Sequence, residues 1–493
     1  MKKGLLLILD GYGEAPKGEF NAVTNANTPY LDYLRSNYPN CLIYTHGRSV
    51  GLPDGAMGGS EVGHTTIGAG RVIKTTTVKI DDEIESGEFF KHNIFVEKLS
   101  KLKQTGGALH IGGLFSDKQI HSDLNHAFAL IKMAKIFGIE RVFFHAFTDG
   151  RDCAQKSSVE YLVKFESATK QIGLGEIATV GGRFYIMDRE NNLDRTAKYI
   201  EAMKRLEYDC NSAIDCIKAS HSAGITDEFI EPKRIKTNAR YSFDNNDLFI
   251  FYNFRADRMK QPVKMLSDMK IMDIITFCDF YKADNVEHIY NDEDITGTLS
   301  EYLSTCGLKQ LKISESTKYA HVTYFLNGGR EQPFDGEDRI HIETEKTNDF
   351  ALTPKMRAGE IAKSTVDALN NNKHDAIIVN FSNPDMIGHT GNYDATVTAL
   401  EYLDGCVKDI VEAALKNDYF VLLTADHGNA EEMRDVNGNV QTAHSLNPVI
   451  CMAIDKTRYN MIQSSGLESI APTFVKMMGL PDNNKFEGKV LIK

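Results

Sequence analysis

The sequence predicts an α/β protein built from two α/β domains. Apolar runs of strand length alternate with amphipathic segments of helical period along the whole chain, which is typical of α/β folds. At 493 residues the chain is too long for a single hydrophobic core. Its composition, 42% hydrophobic and 25% charged, is that of an ordinary globular protein.

Three apolar runs predicted to be buried strands each lead to an aspartate. Asp10 ends GLLLILD, Asp385 ends AIIVNFSNPD and Asp426 ends YFVLLTAD. Ligands of open parallel sheets gather at the carboxyl ends of the strands, so we expect these carboxylates to converge on one crevice. The first run also resembles a signal peptide, but about six apolar residues are fewer than the roughly 7–15 of a signal sequence, and we interpret it as a core strand. No apolar stretch approaches the length of a membrane span.

Oxygen and imidazole side chains near the two ends of the chain form a candidate metal-ligand set without any thiolate. The set is Asp10, Ser60, Asp385, His389, Asp426, His427 and His444. Such donors suit Mn, Zn, Fe or Co, and seven are too many for one ion. The set therefore predicts a two-metal phosphoryl-transfer site.

Ser60 is the candidate nucleophile of this site. In MGGSEVGHTTIGAGR it follows two glycines and precedes a segment able to start a helix, where free N–H groups can bind phosphate oxygens. A serine whose oxygen is bound to a metal is a nucleophile near neutral pH. The alternative is a serine that only caps the helix.

Two Asp/His pairs follow predicted strands. His389 lies four residues after Asp385, which places both side chains on one side of a helical turn. His427 adjoins Asp426 in TADHGNA, so both can ligate only from an irregular loop, whereas His444 precedes a strand. Each histidine alone is as compatible with a structural role, but the pairs together favour a metal site.

The middle of the chain carries basic residues that we place at the carboxyl ends of predicted strands. The strands are ALHIGGLFSD, RVFFHAFTDG, ATVGGRFYIMD and DLFIFYNF. The residues are His121, Arg151, Asp152, Arg183, Arg189, Arg255 and Arg258. Each arginine could be a solvated surface charge, but together they predict a pocket for carboxylate and phosphate groups. Asp152 and His121 are candidate general bases, and Lys318 is a candidate phosphate contact or a surface lysine.

The positions of the candidate ligands predict the domain layout. They occur at 10–60 and 385–444, so one shared site requires the middle to be an insertion. We place the crossings near Thr75–Thr77 and Asn291–Ile295, in polar segments. This gives a split domain over residues 1–74 and 293–493 and an inserted domain over 75–292, with amphipathic helices predicted at 157–173 and 193–206.

Charge and cysteine content restrict the function classes. A net charge of -12 argues against binding to nucleic acid or anionic membranes but allows an anionic small molecule at a local basic cluster. The eight cysteines include no CxxC pair, which predicts reduced thiols and a cytoplasmic protein.

Ten motifs in one order carry a resemblance to a known family. They are LDGYG (9–13), GGSEVGHTTIGAGR (58–71), HSD (121–123), TDGRD (148–152), GGRFYIMDR (181–189), NFRADR (253–258), TKYAHVTYFLNGG (317–329), NPDMIGHTG (383–391), ADHGNAE (425–431) and QTAH (441–444). With these motifs the chain resembles the cofactor-independent phosphoglycerate mutases of the alkaline phosphatase superfamily. Thr317 departs from the family pattern, which has an acidic residue there.

The resemblance implies a split alkaline-phosphatase-like metal domain with a second α/β domain inserted, in a monomer. It implies two Mn²⁺ ions, with Co²⁺ or Zn²⁺ as substitutes, one on Asp385, His389 and His444 and the other on Asp10, Ser60, Asp426 and His427. The substrate residues would be His121, Arg151, Asp152, Arg183, Arg189, Arg255, Arg258 and Lys318. The implied activity is interconversion of 3-phosphoglycerate and 2-phosphoglycerate through phosphoserine at Ser60, without 2,3-bisphosphoglycerate.

Two other functions compete with this interpretation. A phosphomonoesterase or another mutase of the superfamily would use the same metals and serine, but a plain phosphatase does not need arginines that retain the dephosphorylated alcohol. A binding protein that senses a metabolite would be expected to have lost Ser60 or a ligand, and all of them are present.

Overall fold

A computed structural model describes residues 1–239, 241–291, 293–462 and 465–493. Two β-sheets with helices around them confirm the predicted α/β class. The chain divides into two compact units, unit 1 over Met1–Thr75 and Asp294–Lys493 and unit 2 over Thr76–Glu293. Asp292, where the sequence analysis ends the insert, lies outside the described residues.

Fifteen strands form among the described residues. In chain order, β1 to β15 are Lys3–Leu9, Asn40–Tyr44, Leu109–Phe115, Val142–Thr148, Glu176–Gly182, Lys233–Arg234, Leu248–Phe251, Asp273–Cys278, Val286–Tyr290, Gln310–Glu315, Glu337–Ile342, Ala376–Phe381, Tyr419–Thr424, Val449–Ile454 and Ser465–Gly466.

Seventeen α-helices accompany these strands in the part of the chain that is described. In order, α1 to α17 are Ala22–Asn25, Pro29–Asn37, Ser60–Ala69, Thr76–Ser86, Asn93–Thr105, Leu124–Ile136, Ser158–Ile172, Arg183–Ile186, Leu193–Lys204, Ala213–Ser222, Lys260–Asp268, Leu299–Thr305, Ser316–Ala320, Ala358–Asn371, Asn383–Gly388, Tyr393–Lys416 and Ile470–Met478. None of these helices combines the length and the apolar composition needed to span a bilayer.

Unit 1 is built on an eight-stranded sheet in the order β11-β10-β12-β1-β13-β14-β2-β15. The five strands from β11 to β13 are parallel, and β14 pairs antiparallel with both β13 and β2. Every residue of β12 and β13 is buried, as expected for strands covered on both faces. The three strands predicted to carry the aspartates, β12, β1 and β13, are neighbours, so their carboxyl ends meet at one edge.

Unit 2 is built on a seven-stranded sheet in the order β6-β5-β4-β3-β7-β8-β9. Only β6 pairs antiparallel in the described part of this sheet. The predicted helices at 157–173 and 193–206 appear as α7 and α9. Their apolar faces, including Phe165 and Tyr199, are buried.

Two predicted strand ends are wrong. The strand expected to continue through FYIMD stops at Gly182, because the Gly182 N–H donates to Ile230 O (2.7 Å) and the chain turns into α8 at Arg183. The run before Asp385 ends at Phe381, because Pro384 favours the first turn of α15, and Asp385 therefore lies in a helix.

Candidate metal centre and basic cluster

The three aspartates meet at the carboxyl edge of the unit 1 sheet. Asp10 directly follows β1, Asp426 lies just after β13, and Asp385 lies on α15 after β12. Their exposed fractions are 0%, 0% and 1%. Three carboxylates that are this deeply buried require cationic or hydrogen-bonding partners.

One group of ligand atoms centres on Asp385. Its Oδ1 lies 3.1 Å from His389 Nε2 and 3.3 Å from His444 Nε2, and the two Nε2 atoms are 3.1 Å apart. The other ring nitrogen of each histidine faces a backbone carbonyl: His389 Nδ1 lies 2.6 Å from Thr442 O, and His444 Nδ1 lies 2.7 Å from Gly58 O. Carbonyls only accept, so each Nδ1 carries a hydrogen, which leaves Nε2 of each ring as the atom that can bind a metal ion. The spacing fits the ~3.4 Å edge of a tetrahedral site with metal–ligand distances of about 2.1 Å.

A second group centres on Ser60. Its Oγ lies 3.1 Å from Asp10 Oδ1 and 3.0 Å from His427 Nε2. His427 Nε2 lies 3.4 Å from Asp10 Oδ1 and 3.5 Å from Asp426 Oδ2. The His427 ring stacks on His444 with centroids 3.8 Å apart, so the two groups adjoin.

The local backbone explains how Ser60 reaches this position. Ser60 is the first residue of α3 and follows Gly59 as the N-cap, so it does not cap the helix. A Cβ on Gly58 would lie 1.9 Å from Thr45 O, which means that only glycine allows this approach. The serine hydroxyl is therefore directed at the carboxylates and not at the helix end.

Lys318 lies at the centre of both groups. It belongs to α13, directly after β10, and its Nζ lies 2.6 Å from Ser60 Oγ, 2.7 Å from Asp10 Oδ1 and 2.6 Å from Asp385 Oδ2. Burial would lower the pKa of Lys318, but the carboxylates raise it above its ordinary value. Burial would likewise raise the pKa of Asp10, but Lys318 and His427 hold it well below its ordinary value.

The donor set fits divalent cations. One lysine faces three carboxylates, and within the described residues the buried Asp426 Oδ2 has no hydrogen-bond partner. Among the described residues, three triads each bring their ligand atoms within 4.8 Å of one another: Asp385/His389/His444, Asp10/Asp385/His427 and Asp10/His64/Asp426. Carboxylate and imidazole donors suit Mn, Co or Zn. Burial lowers the pKa of His427, but Asp426 and Asp10 raise it to about 9, so a cation there would compete with a proton.

The predicted site residues of unit 2 lie in the loops and short helices that follow four neighbouring parallel strands. These strands are β5, β4, β3 and β7, in sheet order. His121 follows β3, Arg151 and Asp152 follow β4, Arg183 and Arg189 follow β5, and Arg255 and Arg258 follow β7. The loops therefore share the carboxyl edge of the sheet, where ligands of such folds bind.

Arg183 and Asp152 form the inner part of this cluster. Arg183 is 3% exposed, and its Nη1 lies 2.5 Å from Asp152 Oδ2 and 2.7 Å from Asp149 Oδ1. Asp152 Oδ2 lies 3.7 Å from His121 Nε2. Arg151 extends outward to Glu228, with Nη1 3.3 Å from Oε1.

The positive groups of the cluster repel one another. Burial lowers the pKa of Arg258, and Arg189 and Arg183 lower it further. Burial, Arg183 and Arg255 also lower the pKa of His121 to about 4, against the opposing effect of Asp152. Positive groups that destabilise one another are relieved by a bound carboxylate or phosphate.

Comparison with known proteins places this geometry in a family. The Metalloenzyme superfamily matches residues 2–482. A 2,3-bisphosphoglycerate-independent phosphoglycerate mutase of Bacteroides thetaiotaomicron is 39% identical over 506 residues, covering 100% of both chains. The enzyme of that name from Serratia proteamaculans is 40% identical, covering 99% of this chain and 98% of its own. The chain belongs to this mutase family.

A solved structure agrees with this assignment. A phosphoglycerate mutase of Leishmania mexicana, crystallised at low cobalt concentration, is 28% identical and has a TM-score of 0.60. The match covers 100% of this chain and 98% of that one. The resemblance inferred from the ten motifs is thereby confirmed.

The sequence analysis missed several residues that surround the metal centre of this family member. Asn380 Nδ2 donates to Asp10 Oδ2 (2.8 Å), and Asn429 Nδ2 donates to Asp385 Oδ1 (2.8 Å). A signal for Asn380 was available, because it is the polar residue in the buried run AIIVNF of β12. In unit 2, Asp149, which holds Arg183, lies inside the motif TDGRD (148–152), but the sequence analysis gave it no role because nothing in the sequence separates it from a turn aspartate.

Proposed function

We propose that the protein interconverts 3-phosphoglycerate and 2-phosphoglycerate through a phosphoserine intermediate on Ser60, with two Mn²⁺ ions and without 2,3-bisphosphoglycerate. The two relatives are named for this activity, and this chain covers 100% and 98% of their lengths. The observation that carries the proposal is the position of Ser60 Oγ, within 3.1 Å of Lys318 Nζ, Asp10 Oδ1 and His427 Nε2. A hydroxyl among an ammonium and metal-type ligands is suited to nucleophilic attack on phosphorus.

In the first half-reaction Ser60 Oγ attacks the phosphorus of 3-phosphoglycerate while the bond to the glycerate C3 oxygen breaks. The serine gives up its proton, and the departing oxygen gains one, so phosphoserine and glycerate form without net release of protons. Lys318 donates to Ser60 Oγ and stabilises the negative charge that develops around it. Divalent ions held by the two ligand groups would neutralise phosphate charge and favour the serine alkoxide.

We assign one ligand group to each ion. The first ion would be held by Asp385, His389 and His444. The second would be held by Asp10, Ser60, Asp426 and His427. Co²⁺ and Zn²⁺ accept the same donors and would replace Mn²⁺.

The basic cluster of unit 2 is assigned to the glycerate part of the substrate. Its arginines, with Lys318 on the phosphoryl group, would bind the carboxylate and retain glycerate after the first transfer. In the second half-reaction the C2 hydroxyl attacks the phosphorus of phosphoserine and loses its proton to Asp152 or His121, while the bond from phosphorus to Ser60 Oγ breaks and Oγ regains a proton. The lowered pKa leaves the His121 imidazole unprotonated at neutral pH, the form required of a base, and also makes it a weaker base than an ordinary histidine.

These roles define the two units and the setting of the enzyme. Unit 1 would be the metal-binding, phosphatase-like domain, and unit 2 the inserted substrate-binding domain.

We further propose a monomer in the cytoplasm. No disulfide joins the cysteines of the described residues, which is consistent with a reducing compartment. Light scattering at micromolar concentration tests the monomer, because a dimer would double the measured mass.

Phosphorus NMR tests the reaction directly. Metal-stripped protein is mixed with 3-phosphoglycerate, and spectra are recorded before and after addition of Mn²⁺, with no 2,3-bisphosphoglycerate present. We expect 2-phosphoglycerate only after Mn²⁺ is added, with little free phosphate. Free phosphate as the main product would replace the mutase by a phosphatase.

A matched pair of variants separates the two half-reactions. Ser60→Ala removes the nucleophile and should abolish both 2-phosphoglycerate and phosphate formation. Arg183→Met leaves the nucleophile in place but weakens retention of glycerate, so the share of free phosphate should rise. Residual mutase activity in Ser60→Ala would contradict the phosphoserine intermediate.

A further inference from the structure

His64, one turn after Ser60 on α3, contacts two residues of the second ligand group, Ser60 and Asp426. It is completely buried. Its Nδ1 lies 2.9 Å from Ser60 O and 3.2 Å from Asp426 Oδ2. Its Nε2 lies 3.0 Å from Asn380 Nδ2.

These contacts define the hydrogens of the ring. Ser60 O can only accept, so Nδ1 carries the hydrogen, and Asp426 Oδ2 lies near this N–H without a hydrogen bond of its own. Asn380 directs the same amide nitrogen at Asp10 Oδ2 (2.8 Å), which only accepts, so this nitrogen is a donor and His64 Nε2 must offer its lone pair. The two N–H bonds of the Asn380 amide are thus directed at one carboxylate and one imidazole.

The contacts also determine which atom of Asp10 faces the site. With Oδ2 occupied by Asn380, Asp10 presents Oδ1 to Ser60 Oγ (3.1 Å) and Lys318 Nζ (2.7 Å). The acceptor at His64 Nε2 (3.0 Å) gives the Asn380 amide a second fixed contact beside Asp10 Oδ2 and so restricts its orientation further. One imidazole therefore connects Asp10, through Asn380, with the backbone of Ser60 and the free oxygen of Asp426.

We infer that His64 and Asn380 form a positioning pair that sets the geometry of the Asp10/Ser60/Asp426/His427 ligand group and not that of the Asp385/His389/His444 group. Neither residue is a ligand in this inference. It rests on the proposed function, because it presumes that both groups bind ions. Partners behind metal ligands typically change affinity 10–100-fold when they are removed.

Mn²⁺ binding to the full-length protein, measured by electron paramagnetic resonance of free Mn²⁺, tests the inference without an activity assay. His444→Ala disables the first group, so Mn²⁺ binding in this background reports on the second group. Asp426→Asn disables the second group, so binding in that background reports on the first. His64→Leu should weaken Mn²⁺ binding 10–100-fold in the His444→Ala background. In the Asp426→Asn background it should change binding by less than about twofold.

Two further variants make the test selective. His64→Gln keeps an acceptor near Asn380 and should recover part of the affinity lost in His64→Leu. Asn429→Ala removes the donor to Asp385 Oδ1 and should show the opposite selectivity, weakening the first group and sparing the second. If His64→Leu does not fold, Asn380→Ser removes the donor to Asp10 with a smaller change and carries the same expectation.

The outcomes distinguish this inference from the function on which it rests. Unchanged Mn²⁺ binding in folded His64→Leu or Asn380→Ser, or equal weakening of both groups, would overturn the positioning role and leave the mutase assignment intact. An unsubstituted protein that binds no Mn²⁺ would instead remove the metal premise of the proposed function.

Discussion

Replacing Lys318 by methionine tests the electrostatic account of the metal centre. The ammonium contacts Asp10 Oδ1 at 2.7 Å and Asp385 Oδ2 at 2.6 Å, and all three groups are buried. Methionine keeps the length of the side chain but removes the charge. In metal-free protein it leaves the carboxylates without their cation, whereas in Mn²⁺-loaded protein the ions would replace that charge.

The expected magnitude follows from the two contacts. Removing one partner of a buried ion pair costs about 3–5 kcal/mol, and because two carboxylates share this ammonium we expect about 5 kcal/mol in EDTA. Binding adds about 2.7 kcal/mol per site at a ligand concentration of 100 Kd, and the more negative variant should bind Mn²⁺ more tightly. Both proteins gain this amount at equal Kd, so the gap shrinks by about 1.4 kcal/mol for each tenfold by which the variant binds Mn²⁺ more tightly, and a hundredfold difference would reduce it to about 2 kcal/mol.

The dependence on pH has a defined sign. The folded-state pKa of Asp10 and of Asp385 lies below its ordinary value, so the stability from their pairing is present above about pH 4 and is lost as the pH falls below it. The gap in EDTA should accordingly be full at pH 7 and shrink in acid.

Urea unfolding followed by far-ultraviolet circular dichroism measures the gap, because the chain has no tryptophan. Lys312→Met is the matched control: Lys312 is a buried lysine on β10 paired with Glu337 (3.5 Å), and its loss should destabilise the protein equally with and without Mn²⁺. A Lys318→Met gap of the same size in EDTA and in Mn²⁺ would refute the idea that the lysine and the ions neutralise the same carboxylates.

Three further predictions concern protons and substrate. Mn²⁺ binding at pH 7 should release protons, since His427 with its pKa of about 9 is protonated in the metal-free protein; calorimetry in two buffers of different ionisation enthalpy detects this, and identical heats would contradict it. His121 should stay neutral down to about pH 4 in the substrate-free protein. Because the same histidine in the unfolded chain takes up its proton near pH 6.5, it lowers the free energy of unfolding as the pH falls from about 6.5 to 4. An NMR titration midpoint near 6.5 would exclude the effect of burial on this pKa. Arg183→Lys should raise KM at least about tenfold, because lysine cannot reproduce the bidentate fork, while Arg151→Lys, at the exposed pair with Glu228, should change KM less; the reverse order would contradict the inner position of Arg183.

The parts of the fold that followed from the sequence are those governed by local pattern. Continuous apolar runs predicted β1, β12 and β13 because strands buried on both faces lack alternation. Helical period predicted α7 and α9 within one or two residues at each end. The end of β5 was not predictable, because the bond from Gly182 N–H to Ile230 O joins residues far apart in the chain.

The candidate site divides in the same way. Asp385 and His389 share a helical turn, and spacing alone predicts that they meet. The contact of Lys318 with Asp10 joins residues 308 positions apart, and no local pattern contains it. Residue chemistry predicted the seven candidate ligands and the family resemblance divided them into two groups, whereas the distances between them depend on which strands become neighbours in the sheet.

The order of strands in the sheet determines which locally predicted residues become neighbours in space. The order β12-β1-β13 brings three chain segments side by side, so the buried carboxylates that follow these strands lie close together. Without cations nearby, their burial and mutual repulsion would destabilise the fold. That instability is offset by Lys318 in the metal-free protein and, as proposed, by two ions in the active form. A lysine that serves both states must keep contact with the serine while the charge around it changes, and the bond from Lys318 Nζ to Ser60 Oγ meets that requirement. The same residue can therefore preserve the folded site before the ions bind and support the nucleophile afterwards.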